Sequence, residues 1–187
     1  MSTNELTEIA LANSLKKLMH TVPINKITVQ QICTNCNISR RTFYYHFQDT
    51  YDLLRWIYEH EVIDDLEKYY TTDNWKNGVT TVLQYTLHNK DICLNTYNSL
   101  GREYLERFLY KIFYNALYEV IKEISSNMNV EDKVQKDCAE FYTLAITGEF
   151  LLWLNHGLKE SPEQIAVKID TMLDGTLFTF LKKHEKQ

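Results

Sequence analysis

The chain has 187 residues, 44% of them hydrophobic, with only 5 Gly and 2 Pro and a net charge of −5. That length allows one domain, or a small domain joined to a larger one, with enough apolar side chains for a core. Scarce turn formers disfavour sandwiches and barrels and favour helices on short loops, no run of about 18 apolar residues suggests a membrane span, and the first twenty residues lack the apolar stretch of a secretory signal.

Four cysteines make no disulfide framework in a chain of this size, so the thiols are expected to be reduced and the protein cytoplasmic. Charge is unevenly spread. Residues 1–48 carry Lys16, Lys17, Lys26, Arg40 and Arg41 against Glu5 and Glu8, a net of +3, while the rest is net −8. This asymmetry marks a boundary near residue 48. It makes 1–48 the candidate domain for a phosphate backbone and leaves 49–187 as a second domain.

In chain order, residues 4–20 place Ile9, Ala12, Leu15, Leu18 and Met19 on one helical stripe, which Pro23 ends. Thr28 is placed to cap a short helix at 28–35, with Val29, Ile32, Cys33 and Cys36 on one face. Asn37 follows where the chain must turn, and Asn tolerates the left-handed conformation there. Ser39 caps a second short helix at 39–46, with Phe43 inward and Phe47 just past its end. Asp49 caps a long helix expected over 50–70, built on Leu53, Leu54, Ile57 and Val62. Further helices are expected near 74–88, 90–98, 101–125, 131–157 and 161–183. Gly157 suits a helix C-terminus, and Ser161-Pro162 suits a helix start. No segment alternates with period two for long enough to demand a strand. The fold class is therefore all-α.

Cys33-Thr34-Asn35-Cys36 is a CxxC, so metal binding and redox sensing must be weighed against packing. Zinc needs four ligands. Neither a second CxxC nor a paired His motif is present, and Cys93 and Cys138 stand alone. Both thiols are expected on the inward face of their helix, as small hydrophobes. The chain also lacks a Gly-rich phosphate loop, a nucleophile elbow and an HExxH motif. No catalytic residue, metal site or cofactor is expected.

The helices at 28–35 and 39–46, about three residues apart, have the spacing of a helix-turn-helix. With Phe43 inward, Arg40, Arg41, Tyr44, Tyr45 and His46 are left facing outward. Arginine offers a planar donor fork for guanine edges and phosphates. Tyr, His and the hydroxyls of Thr28, Ser39 and Thr42 can reach phosphate oxygens.

These residues carry a family resemblance. "ITVQQICTNCNISRRTFYYHFQDTYDLL", residues 27–54, resembles the DNA-binding signature of TetR-type transcriptional regulators. The matching positions are Thr28, the turn at Cys36-Asn37, Ile38, Ser39, Thr42, Phe43, Tyr44 and Phe47. Asn37 stands where Gly is usual, and Thr50 replaces a Lys common there. The resemblance implies an all-helical homodimer with an N-terminal three-helix DNA-binding domain and a C-terminal helical bundle for dimerisation and effector or partner binding. Two such N-terminal units would enter successive major grooves of a palindromic operator. Arg40, Arg41 and Tyr45 would face bases, and Thr28, Ser39, Thr42, Tyr44 and His46 would touch the backbone. Residues 141–166, "FYTLAITGEFLLWLNHGLKESPEQIA", are similar to a subgroup that includes activators of dihydroxyacetone-kinase operons. There the effector can be a protein co-regulator rather than a small molecule.

Three further features rest on the residues themselves. The run Phe141–Leu154 is apolar nearly all round a helix, which implies burial on all sides, one of them by a second subunit. Tyr97, Tyr104, Phe108, Phe141 and Tyr142 are candidates for lining an effector pocket, with ordinary core packing as the alternative. Glu149, set in that apolar run, is expected to be solvated or paired across subunits rather than to meet a cationic ligand.

Overall fold

The computed structural model describes residues 3–63, 66–99 and 102–186. Among them every regular element is a helix. Ten are α-helices: α1 (Thr3–Met19), α2 (Val29–Cys36), α3 (Arg40–His46), α4 (Thr50–Tyr58), α5 (Trp75–His88), α6 (Lys90–Tyr97), α7 (Arg102–Ile124), α8 (Asp132–Asn155), α9 (Pro162–Leu173) and α10 (Thr176–Lys183). The chain forms two compact units. The first joins Met1–Glu61 to Asn89–Phe108, and the second joins Val62–His88 to Leu109–Gln187.

The first unit is built on Leu11, Leu15, Met19, Ile32, Phe43, Leu53, Leu54 and Ile57, each almost wholly buried. These come from α1 to α4 at helical spacing, so the four helices close on one core. α6 belongs to this unit although it lies far along the chain. Its Asn95 side chain accepts from Ile24 N–H at 2.9 Å and donates to Met19 O and Val22 O, both at 2.7 Å. One amide thus satisfies the end of α1 and the turn that follows it. Next to it, the buried Tyr58 hydroxyl meets Thr96 Oγ1 at 2.8 Å, linking α4 to α6.

The second unit packs α5, the distal part of α7, α8, α9 and α10. Trp153 and Phe150 are among its largest buried side chains, and Trp153 Nε1–H donates to Glu160 O at 2.9 Å across the loop after α8. That loop turns through Gly157 and Leu158, both at positive φ. A capping box of Ser161 and Gln164, with Pro162 in the first turn, starts α9. Gly78 lets α5 approach the 3-10 turn Glu67–Tyr69. A methyl group there would stand 2.9 Å from Tyr69 Cβ.

Two expectations are corrected. The single helix expected over 50–70 is α-helical only to Tyr58. It widens to a π-turn over Glu59–Ile63, and a 3-10 turn follows at Glu67–Tyr69; residues 64 and 65 lie outside the described residues. His60 Nδ1 sits 3.1 Å from Trp56 O, the carbonyl that an α-helical N–H of residue 60 would use. The helix expected over 161–183 is broken at Asp174-Gly175, where Gly175 takes φ +67°. A residue with no Cβ adopts that conformation without strain, so the chain can re-aim between α9 and α10. Within one chain, α8 buries one side of its apolar run and leaves the other exposed. Phe141, Leu144 and Leu152 are 67%, 57% and 45% exposed, and Ala145 and Gly148 share their stripe.

Candidate nucleic-acid interface

The helix-turn-helix forms because each of its ends is capped by its own sequence. Thr28 accepts from Gln31 N–H, while the Gln31 side chain accepts from Thr28 N–H, a complete capping box at the start of α2. At the other end Asn37 adopts φ 57° and ψ 38°, the left-handed cap expected for it, and its N–H reaches the carbonyls of Cys33 and Thr34. Ile38 N–H then donates to Cys33 O at 3.0 Å, closing the turn. Ser39 caps α3 by accepting from Thr42 N–H at 3.0 Å.

α2 is tied to α1 by a buried polar link. Ser14 Oγ–H donates to Ile32 O at 2.7 Å, and Asn35 Nδ2–H donates to Ser14 Oγ at 3.1 Å. α3 is held by Phe43, fully buried, and by Phe47 just beyond its end. The Phe43 ring meets Phe47 at 5.9 Å and Tyr44 edge-on at 5.5 Å. Phe47 in turn packs edge-on against Trp56 of α4. After α3, Asp49 caps α4 by accepting from the N–H groups of Tyr51 and Asp52, both at 2.8 Å. Burial pushes the Asp52 carboxyl upward, but the Gln48 N–H and the Arg55 guanidinium together hold it below the usual carboxylate range.

With the aromatic anchors inside, α3 presents Arg40, Arg41, Tyr44 and Tyr45 to solvent; Tyr45 is 76% exposed and Tyr44 52%. Thr28 and Ser39 are exposed and Thr42 is half-buried, all at helix N-termini. Seven of the eight residues expected at the interface therefore lie on or beside one surface. The eighth, His46, is turned inward. Its side chain is 6% exposed, and Nδ1 lies 3.1 Å from Glu8 Oε1 of α1. The sequence gives no sign of that pairing, since the two residues are 38 positions apart. The outer face of α2 adds Gln30 and Thr34, joined by a 3.0 Å hydrogen bond, which the sequence reading did not single out although they stand one helical turn apart.

Cys33 is buried, and burial foremost pushes its thiol pKa up. Cys36 is only half-buried, and its thiol reaches Ile32 O at 3.2 Å instead of entering the core. Among the described residues no group of three or more His, Cys, Asp or Glu side chains is placed to hold a metal ion. Thr50, where a Lys is common in similar sequences, is buried.

The aromatic candidates for an effector site are distributed over both units. In the first, Tyr104 stacks on Tyr51 at 5.1 Å, Phe108 packs on Tyr58 at 5.2 Å, and Tyr97 lies under Arg102 at 4.8 Å. In the second, Phe141 and Tyr142 meet edge-on and line an open groove between α8 and α9 with Met172. Glu149 and Lys168 pair at 2.5 Å on that groove, within one chain. The second unit also holds a partly open apolar cavity among Leu66, Tyr70, Trp75, Val79, Phe113 and Leu117, with a volume of about 30 Å³, against about 330 Å³ for the groove. Among the described residues no helix is long and apolar enough to cross a membrane.

Comparison with known proteins agrees with this geometry. Residues 14–57 match the family of bacterial regulatory proteins of the tetR family, and residues 73–175 match the transcriptional regulator C-terminal region. The HTH-type dhaKLM operon transcriptional activator DhaS of Lactococcus lactis subsp. lactis is 33% identical over 93 residues, 48% of each chain. The match thus spans about half the length of that curated relative. Among solved structures, the dihydroxyacetone kinase operon activator DhaS superposes with a TM-score of 0.72 at 23% identity, covering 96% of this chain and 98% of that one. NalD, the secondary repressor of the MexAB-OprM multidrug efflux pump in Pseudomonas aeruginosa, does so with 0.66 at 14%, covering 95% and 97%. At these identities the structures share the fold. A capped helix-turn-helix at residues 28–47, with family matches on both sides of residue 60, places the chain in the tetR family of bacterial regulatory proteins.

Proposed function

We propose that this chain is a sequence-specific DNA-binding transcriptional regulator that binds a palindromic operator as a homodimer in the cytoplasm. Residues 1–48 carry DNA recognition, and residues 49–187 carry dimerisation and control. The observation that carries the reading is the outward face of α3. Two arginines and two tyrosines stand on a short helix whose opposite side is locked by Phe43 and Phe47. Arg40, Arg41 and Tyr45 reach base edges in the major groove. Thr28, Ser39, Thr42 and Tyr44 position the unit on the phosphate backbone. Homodimerisation is supported by the exposed apolar stripe on α8, which Met172 of α9 faces across their shared groove; Val167 and Phe178 are exposed as well. A patch of that kind on a soluble chain marks an interaction surface, and a second copy would bring the two recognition helices to a palindrome.

Control by a protein co-regulator, the alternative to a small-molecule ligand, is supported by the similarity of residues 141–166 to the activators of dihydroxyacetone-kinase operons. The partial match to an operon activator points the same way. Selection of binding sites from random DNA with the purified protein tests the main reading. A palindrome should emerge, and Arg40→Ala should lose about 1–3 kcal/mol on it and relax preference at one position per half-site. Enrichment of no sequence would refute the reading. For control, a specific protein that shifts operator affinity while ligand screens leave the melting temperature unchanged would support the co-regulator.

A further inference from the structure

We propose that His46 is a positioning residue. Held by Glu8, it fixes the end of the recognition helix on α1, and it acts on DNA through that helix rather than as a phosphate ligand. The inference rests on reading α3 as the recognition helix.

α3 is two turns long, too short to be stable by itself. Its roll about its own axis must be set by contacts, because one residue of rotation is about 100° and moves every outward side chain. Phe43 provides one anchor. His46, three residues on, lies on the same face. Its Nδ1 meets Glu8 Oε1 at 3.1 Å, so α3 is tied to α1 at its C-terminal end as well as packed in its middle. Two anchors one turn apart fix both roll and tilt. The ring also packs edge-on against Tyr45 at a centroid distance of 5.0 Å. His46 therefore steadies the exposed Tyr45 side chain.

A phosphate contact requires an oxygen within about 3.2 Å of a ring nitrogen. Nδ1 is already engaged by Glu8, and with the side chain only 6% exposed the ring offers little surface through which Nε2 could meet a phosphate. Glu8 argues in the same direction. It is one of two acidic residues among the first 48, and its side chain remains 26% exposed. A carboxylate beside a phosphate site opposes binding, so its place next to His46 fits a structural link and not a phosphate cradle.

The test compares wild type with Glu8→Ala, Glu8→Gln, His46→Ala and Arg41→Ala. Affinity for the selected palindrome is measured across a salt series, and amide exchange of residues 43–47 is measured in the DNA-free protein. Glu8→Ala and His46→Ala should each weaken binding about tenfold, the size of a lost charge-assisted hydrogen bond. The double variant should be no worse than either single, because both remove one link. The salt slope and the base preference should stay at the wild-type values in both, whereas Arg41→Ala, which removes a base contact, should relax preference at one position per half-site. Glu8→Gln keeps the acceptor oxygen and should bind at least as well as wild type. Exchange at residues 43–47 should quicken in both alanine variants and stay slow in Glu8→Gln. A fall in salt slope of about 1 per half-site for His46→Ala, as for a lost phosphate contact, or unchanged binding and exchange in Glu8→Ala, would overturn the proposal. If wild type selects no DNA at all, the regulator reading fails, and the exchange data still decide whether the link holds α3.

Discussion

Replacing Asn95 by alanine tests how the first unit is held together. In one step it removes the acceptor for Ile24 N–H and the donors to Met19 O and Val22 O. The two carbonyls border an open cavity lined by Met19, Val22, Asp91 and Asn98, so water can take their hydrogen bonds and each loss is at the low end of the usual range. The Ile24 amide is different. Ile24 is 1% exposed, and its N–H would be left without a partner. Adding a desolvated donor at about 1–3 kcal/mol to two rehydrated acceptors at about 0.5 each gives a loss of about 3 kcal/mol. For a chain of this size that lowers the melting temperature by about 6–12 °C. Calorimetry reads it, and amide exchange at Ile24 localises it. Asn95→Asp sharpens the test. It keeps an acceptor for Ile24 but sets oxygen against two carbonyl oxygens, so it should be no more stable than the alanine variant. A melting temperature within about 1 °C of wild type for Asn95→Ala, or a wild-type value for Asn95→Asp, would refute this account of the clasp.

Other expectations follow from the same contacts. Leu144→Glu, on the exposed stripe of α8, should convert a dimer to a monomer in sedimentation while leaving helicity unchanged; a persistent dimer would move the interface elsewhere. Gly78→Ala should cost about 1–3 kcal/mol in denaturant melts, because its methyl group meets Tyr69 Cβ at 2.9 Å; neutrality would mean that the 3-10 turn yields freely. Burial pushes the Cys138 thiol from 9.0 up to about 11. Below pH 9 the thiol is protonated in both the folded and unfolded states, so its contribution is complete; from pH 9 towards 11 the unfolded state ionises first and stability falls. Chemical denaturation over that range should show a shallower decline in Cys138→Ala than in wild type, and equal slopes would contradict the assignment.

The helix-turn-helix was legible because its determinants are local. Thr28, Asn37 and Ser39 each act on backbone groups within four residues, and the structure uses every one as a cap or turn. The anchors Phe43 and Phe47 were equally readable from spacing. What the sequence hid depends on distant partners. His46 reads as an outward basic residue until Glu8, on another helix, claims its ring. Asn95 looks like an ordinary polar residue of a short helix, and its three partners lie 71 to 76 positions away. The breaks at Glu59–Ile63 and Asp174-Gly175 were missed because the apolar period continues through both, and a π-turn or a left-handed glycine interrupts the backbone without interrupting the pattern. The exposed stripe on α8 is the converse case. Its apolar character was plain, but whether a second copy covers it cannot be encoded in one chain's periodicity.

The central claim is that the outward face of α3 reads DNA, and an anisotropy titration of the purified protein on its selected palindrome, against a scrambled duplex and over a salt series, tests it most directly. Affinity for the palindrome should fall by about 10³–10⁵ between roughly 50 and 200 mM salt if six or more phosphates are engaged. It should exceed that for the scrambled duplex throughout, and in Arg40→Ala the two should converge. Binding insensitive to salt, or equal for the two duplexes in wild type, would contradict the account.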